Sequence, residues 1–288
     1  MAKKKKKTNV ANLAITILLI LGWYIMTFPK STDLLNRIYN INSISTYQND
    51  MENYSDEDME QMLQACRDYN AKIAEAEKST PFRYQGSLAT DDTYLNLPSY
   101  GTIGSLYIPK LDLNVAVAHG TSDETLQGEA GHLYGSSLPV DGDSVHSIIA
   151  AHSALATAEL FTHLNKMEKG DVFYITVLNQ QYEYKVDQIT VCLPEDEWQY
   201  EQVEDGKNYV TLYTCTPYGV NTHRLLVRGE LVDTQTVDPG NGFTQSIVWP
   251  VVKYSTLLAL IILAPFFTGL AAGIVTKNQR RKKHAEIS

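Results

Sequence analysis

Cysteine is scarce in this 288-residue chain, which holds only Cys66, Cys192 and Cys215. Three are too few for the disulfide framework of a small secreted domain, and an odd count leaves at least one thiol unpaired within the chain. Nothing in the sequence supports a Cys66–Cys192 bridge. Metal-binding patterns are missing too: no His, Cys or acidic pair has a known ligand spacing on one element. No cofactor is called for, and internal repeats are absent. Positive charge outweighs negative only at the two ends. Between them stand 14 basic and 32 acidic residues, a net charge of −18. A domain that acidic does not bind nucleic acid by neutralising phosphates.

What the ends do contain is apolar sequence beside lysine and arginine. Lys3 to Lys7 precede Val10 to Phe28, 19 residues without a charge. That length spans a bilayer core of about 30 Å as a helix. The stretch after its apolar core, Trp23-Tyr24-Ile25-Met26-Thr27-Phe28, lacks the small-x-small pattern of a cleaved signal, so a retained anchor is expected. Tyr254 to Val275 is a second uncharged run, followed by Lys277, Arg280, Arg281, Lys282 and Lys283. Pro265 within it is tolerated in a membrane helix. Basic residues flank both runs on their outer sides, which predicts two spans with both termini in the cytoplasm and the middle outside. The expected organisation is a basic tail (1–9), a span (10–28), a helical and linker region (29–99), a β-domain (100–235), a linker (236–253), a second span (254–275) and a basic tail (276–288).

Between the spans, Ser55 begins a helix, with Asp58 three residues later in a capping-box arrangement. Met59, Met62, Leu63, Cys66, Tyr69, Ile73 and Ala74 recur at helical spacing and define one buried face, which makes Cys66 a core residue. Pro81 ends the helix near Ser79. From Thr102 the texture changes to short β-branched runs punctuated by Gly, Asn and Asp. These are Ile103–Ile108, Val115–Val117, Ser147–Ala151, Val172–Leu178, Tyr182–Cys192, Tyr209–Tyr213 and Arg224–Val232. The pattern predicts a mainly β barrel or sandwich. A helical turn over Thr157–Lys166 would bury Ala158, Leu160, Phe161 and Leu164.

The chemistry concentrates in "TLYTCTPYGVNTHR", Thr211 to Arg224. Cys215 ends an apolar run, a turn-like stretch follows, and Arg224 opens the next run. Two antiparallel strands there would bring Arg224 back beside Cys215. A cysteine nucleophile needs a proton carrier and donors for the oxyanion it creates. An arginine stays charged and can donate. Spacing alone leaves the alternative open that Cys215 is a small packed hydrophobe. Among seven histidines, His119, His132, His146, His152, His163 and His223 compete for the proton-carrier role, and His284 falls in the tail. His152 closes an apolar run at the mouth of a loop, where catalytic groups often sit. His223, next to Arg224, would point to the opposite face.

These residues carry a resemblance. "TLYTC" with Arg224, together with His119–Val140, His146–Ile175 and Asn208–Gly229, resembles the sortases, membrane-anchored cysteine transpeptidases of Gram-positive surfaces. The likeness is to class C, the pilin-polymerising members. It implies an eight-stranded sortase β-barrel with an N-terminal helical and lid segment, flanked by two transmembrane helices. It implies His152, Cys215 and Arg224 as the catalytic residues, acting on an LPXTG-like sorting signal between Thr and Gly. The acyl group would pass to an amine such as a pilin lysine. Thr214 would add a hydroxyl or backbone donor. Two positions depart from the family's pattern. Ser153-Ala154 follow the histidine where many class C members have Arg-Gly. Thr80-Pro81-Phe82 stands where a lid with an Asp-Pro-aromatic motif is expected. The competing readings are a sortase that anchors proteins to the cell wall, a hydrolase that uses water, and a tethered β-domain without catalysis.

Overall fold

The computed structural model describes residues 2–79, 93–98 and 101–237. Two helices lead into a closed eight-stranded barrel. Helix α1 spans Ala2–Met51 and α2 spans Asp56–Ser79. The strands are β1 (Thr102–Ile108), β2 (Leu113–His119), β3 (Ala130–His132), β4 (Val145–Ala150), β5 (Val172–Val177), β6 (Gln180–Cys192), β7 (Asn208–Thr216) and β8 (His223–Thr236). Around the barrel their order is β1-β2-β3-β4-β7-β8-β6-β5. The β2–β3 and β4–β7 pairs are parallel, and the others are antiparallel. All the expected apolar runs become strands. The strand that pattern misses is β3, whose Ala-Gly-His carries almost no apolar signal.

Alternation sorts the side chains. Ile149 and Ala151, Val210 and Leu212, and Leu225 and Val227 belong to the barrel core. Their neighbours along each strand therefore face outward. The expected helical turn forms as a 3₁₀ segment over Leu160–Lys166, which buries Leu160, Phe161 and Leu164.

Helix α1 continues through Pro29, well past the apolar run. Its C-terminal half buries Leu34, Ile41, Ile44, Tyr47 and Met51, the three-and-four spacing of one helical face against the barrel. Among the described residues no helix is long and apolar enough to cross a membrane. Those residues exclude the second candidate span entirely, and they exclude the side chains at 10–13 and 16 of the first. Helix α2 starts as expected. The Asp58 N–H donates to Ser55 Oγ at 3.1 Å, and the Ser55 N–H donates to Asp58 Oδ2 at 3.0 Å. Cys66 is fully buried, and all three cysteines are free thiols.

Of the many contacts that tie these helices to the barrel and its loops, two involve Tyr47 and Glu77. Tyr47 Oη donates to Ile103 O at 2.9 Å and accepts from the Leu178 N–H at 2.8 Å. Leu178 sits in the two-residue turn between β5 and β6 with φ of 50°, a conformation unfavourable for a branched side chain. Its burial and the Tyr47 bond hold it there. At the far end of α2, Glu77 accepts the Val203 N–H at 2.8 Å. Beside it Glu201 is 4% exposed, and its Oε1 lacks a hydrogen-bond partner. Burial first, then the charges of Glu197 and Glu77, raise the Glu201 pKa from 4.5 to about 8.

Tyr47→Phe leaves a buried N–H and a buried carbonyl unpaired, which costs roughly 1–3 kcal/mol. Chemical denaturation should show that loss, and an unchanged midpoint would refute the role of the phenol. Glu201 makes a second prediction. The unfolded chain releases this proton near pH 4.5 and the folded chain near pH 8, so its contribution to stability declines as pH rises through that window. Glu201→Gln has no charge to bury. Its Tm should match wild type at about pH 5 and exceed it increasingly towards pH 9, by about 2–4 °C per kcal/mol relieved. A constant Tm difference across that range would contradict the burial cost.

Candidate active site

Strand pairing brings the predicted residues together. On β7 and β8, Cys215 and Arg224 are direct cross-strand partners. Both lie on the outer face of the barrel, since Leu212 and Leu225 point inward. The turn between them is built as its composition suggests: the N–H groups of Val220 and Asn221 both donate to Pro217 O at 3.0 Å.

On the other side of β7 lies β4, parallel to it, with Ala150 opposite Tyr213. The pairing continues past the strand end, where the Ala151 N–H donates to Tyr213 O at 3.1 Å. Two further residues along, Ser153 Oγ donates to Cys215 O at 2.6 Å. His152 is therefore bracketed by residues bound to the cysteine's own strand. Continuing the β4–β7 register by two residues places it level with Cys215. β7 and β8 thus present Cys215 and Arg224 side by side, and the segment just past the end of β4 brings His152 to the other side of the cysteine. The spacing between adjacent strands is about 4.8 Å, short enough for side-chain contact.

Thr214 faces inward and is buried, and its hydroxyl donates to Ala151 O at 2.7 Å. That bond pins the turn carrying His152 to β7 and occupies the hydroxyl. The loop beyond His152 is closed by the Phe161 N–H donating to His152 O at 3.1 Å and by the Ala154 N–H donating to Thr162 Oγ1 at 3.0 Å. Helix α1 grips the outside of this loop. Thr32 Oγ1 donates to Ala156 O at 3.2 Å, and Asp33 Oδ1 accepts the Glu159 N–H at 2.8 Å. Arg37 Nη2 donates to Glu159 Oε2 at 3.1 Å.

Arg224 is held by groups that sequence reading did not single out. Its Nε donates to Tyr213 Oη at 2.6 Å, and that phenol donates to Glu197 Oε2 at 2.8 Å. Glu197 opens a 3₁₀ turn, Glu197–Tyr200, in the β6–β7 connection. Partial burial opposes the Arg224 charge, but the electrostatics of Tyr213, Cys215 and Glu197 hold its pKa above the ordinary arginine value. Burial and the Glu197 carboxylate push the Tyr213 phenol up, so it stays protonated. On the far side of β8, Cys192 is also opposite Arg224. It is buried, and desolvation raises its pKa, which disfavours the thiolate.

The other histidines are committed elsewhere. His146 is buried between Gln202 O and Thr211 Oγ1, each at 2.8 Å, and burial lowers its pKa to about 4. His132 is buried against Ser136 and Ser137. His119 Nε2 lies 2.8 Å from Tyr94 O. His163 stands 3.9 Å from Glu159 on the loop's outer side. His223 pairs with Thr216, one residue out of phase with the Cys215–Arg224 row. His284 and the expected lid residues Thr80, Pro81 and Phe82 lie outside the described residues. Among the described residues no group of three or more His, Cys, Asp or Glu could hold a metal ion.

The fold has known counterparts. The Sortase domain family model matches residues 106–232. Sortase A of Bacillus anthracis is 31% identical over 134 residues, which cover 46% of this chain and 61% of that protein. The chain thus spans about three fifths of that curated relative. The crystal structure of sortase C1 from Streptococcus agalactiae is 38% identical with a TM-score of 0.61, covering 67% of this chain and 98% of that one. Clostridium perfringens sortase C, solved with the C-terminal cell wall sorting motif, is 35% identical with a TM-score of 0.57, covering 67% and 99%. With its closed barrel matched across nearly the whole of these solved chains, the chain belongs to the sortase family, on its class C branch.

Proposed function

We propose that this chain is a membrane-anchored cysteine transpeptidase that cleaves an LPXTG-like sorting signal between Thr and Gly. The observation that carries the reading is the cross-strand pair Cys215–Arg224 on β7 and β8, with His152 just past the end of β4 between residues bonded to β7. In this reading the Cys215 thiolate attacks the threonine carbonyl carbon and forms a tetrahedral oxyanion. Arg224 donates to that oxygen, at a position where such a donor is worth about 10²–10³ in rate. Collapse expels the glycine amine, and His152 supplies the proton it needs. The thioester that remains is attacked by an amine, proposed to be a pilin lysine. That step forms an isopeptide bond and returns the thiol.

The sorting motif present in the Clostridium perfringens sortase C structure supports the substrate class. The large apolar residues from Ile15 to Phe28, including Leu18, Leu19, Trp23 and Met26, are exposed on α1. A bilayer is the natural cover for such a surface, and Lys3–Lys7 before it support a cytoplasmic N-terminus. We propose the same for 254–275, with the barrel outside.

The full chain in detergent, incubated with an LPXTG-type peptide and a lysine-bearing pilin, should give an acyl-enzyme and then a crosslink, both seen by mass spectrometry. Cys215→Ala should form neither. Arg224→Ala should lose about 10²–10³-fold in turnover, and His152→Ala should lose about 10²–10⁴-fold. Acyl-enzyme from Cys215→Ala would refute the mechanism. Transfer to a cell-wall precursor amine, with no transfer to pilin, would make the protein a wall-anchoring sortase.

A further inference from the structure

The catalytic arginine does not stand alone. Tyr213 and Cys215 are two residues apart on β7, so they share the outer face with Arg224. The phenol joins two charges in one direction. It accepts from Arg224 Nε at 2.6 Å and donates to Glu197 Oε2 at 2.8 Å, while the direct Arg224–Glu197 separation is 3.7 Å. Hydrogen bonds between charged groups through a shared hydroxyl polarise one another. The guanidinium's Nη1 donates at 3.3 Å to both Asn221 O and His223 O. No hydrogen bond of Nη2 is found among the described residues.

We infer that Tyr213, backed by Glu197, is a positioning residue that fixes the Arg224 guanidinium so that Nη2 meets the developing oxyanion. This rests on the proposed function and extends it to residues that touch neither the scissile bond nor Cys215. The physical reason is entropic. An arginine side chain on a strand has several rotamers, and a partly exposed guanidinium would spend much of its time out of line with the cysteine. Engaging Nε and Nη1 removes that freedom before substrate arrives, as preorganised stabilisation requires. Glu197 comes from the β6–β7 connection, so the alignment of Arg224 depends on how that connection sits over the sheet.

The test is kcat/KM for cleavage of a sorting-signal peptide by the full chain. Tyr213→Phe should lose roughly 10- to 100-fold, the effect of deleting a hydrogen bond to a charged group. The rate of Cys215 alkylation by iodoacetamide should stay unchanged. In an Arg224→Lys background, where the guanidinium fork is gone, adding Tyr213→Phe should cost less than about threefold. Glu197→Gln keeps an oxygen for the phenol and should lose less than Tyr213→Phe. The relay is overturned if Tyr213→Phe stays within about twofold of wild type, if it costs as much in the Arg224→Lys background, or if Glu197→Gln loses as much as Tyr213→Phe. Wild-type protein that cleaves no sorting-signal peptide overturns the functional reading and the relay with it, so the two failures are distinguishable.

Discussion

Everything at the site depends on β7 being paired on both sides. With β8 it makes the antiparallel register that sets Arg224 opposite Cys215. With β4 it makes the parallel register that delivers His152 to the same level. A one-residue slip in either pairing would turn one member of the row into the core. The register is protected because the same strands alternate into the core: Val210, Leu212, Leu225, Val227 and Ile149 are all essentially inaccessible to solvent. Core packing and site geometry are thus two faces of one constraint. Thr214 and Ser153 add side-chain locks where backbone pairing runs out.

The β7–turn–β8 unit was legible in the sequence because everything that builds it is local. Two apolar runs and the turn residues between them suffice to put Arg224 near Cys215. The placement of His152 was less so. Its partner strand lies about sixty residues away, and parallel pairing leaves no mark between the two segments. The resemblance, not periodicity, selected it from among the histidines. Ser153, a departure from the family's pattern, becomes intelligible in the structure as a donor to the Cys215 carbonyl.

Other features were invisible for different reasons. The second half of α1 contains Pro29 and carries many polar residues, so its buried face does not stand out until the barrel is present to receive it. Tyr47 reads as an ordinary aromatic, and only the fold shows that its hydroxyl spans Ile103 and Leu178. Tyr213 reads as one more apolar strand residue. Its link to Glu197 requires a 3₁₀ turn to fold back over the sheet, and nothing in local composition encodes that approach. Charge content was informative in bulk, but it did not identify Glu201 as a buried acid.

The grip of α1 on the His152 loop sets a length scale. Thr32, which bonds Ala156 O, follows Phe28 by four residues of continuous helix. At 1.5 Å per residue that is about 6 Å along the axis. Were residues 10–28 in a bilayer, as proposed, the His152 loop would ride near the headgroup surface on a short helical strut. A substrate tethered in the same leaflet would then search for it in two dimensions. A freely diffusing peptide would have to approach past the lipid headgroups.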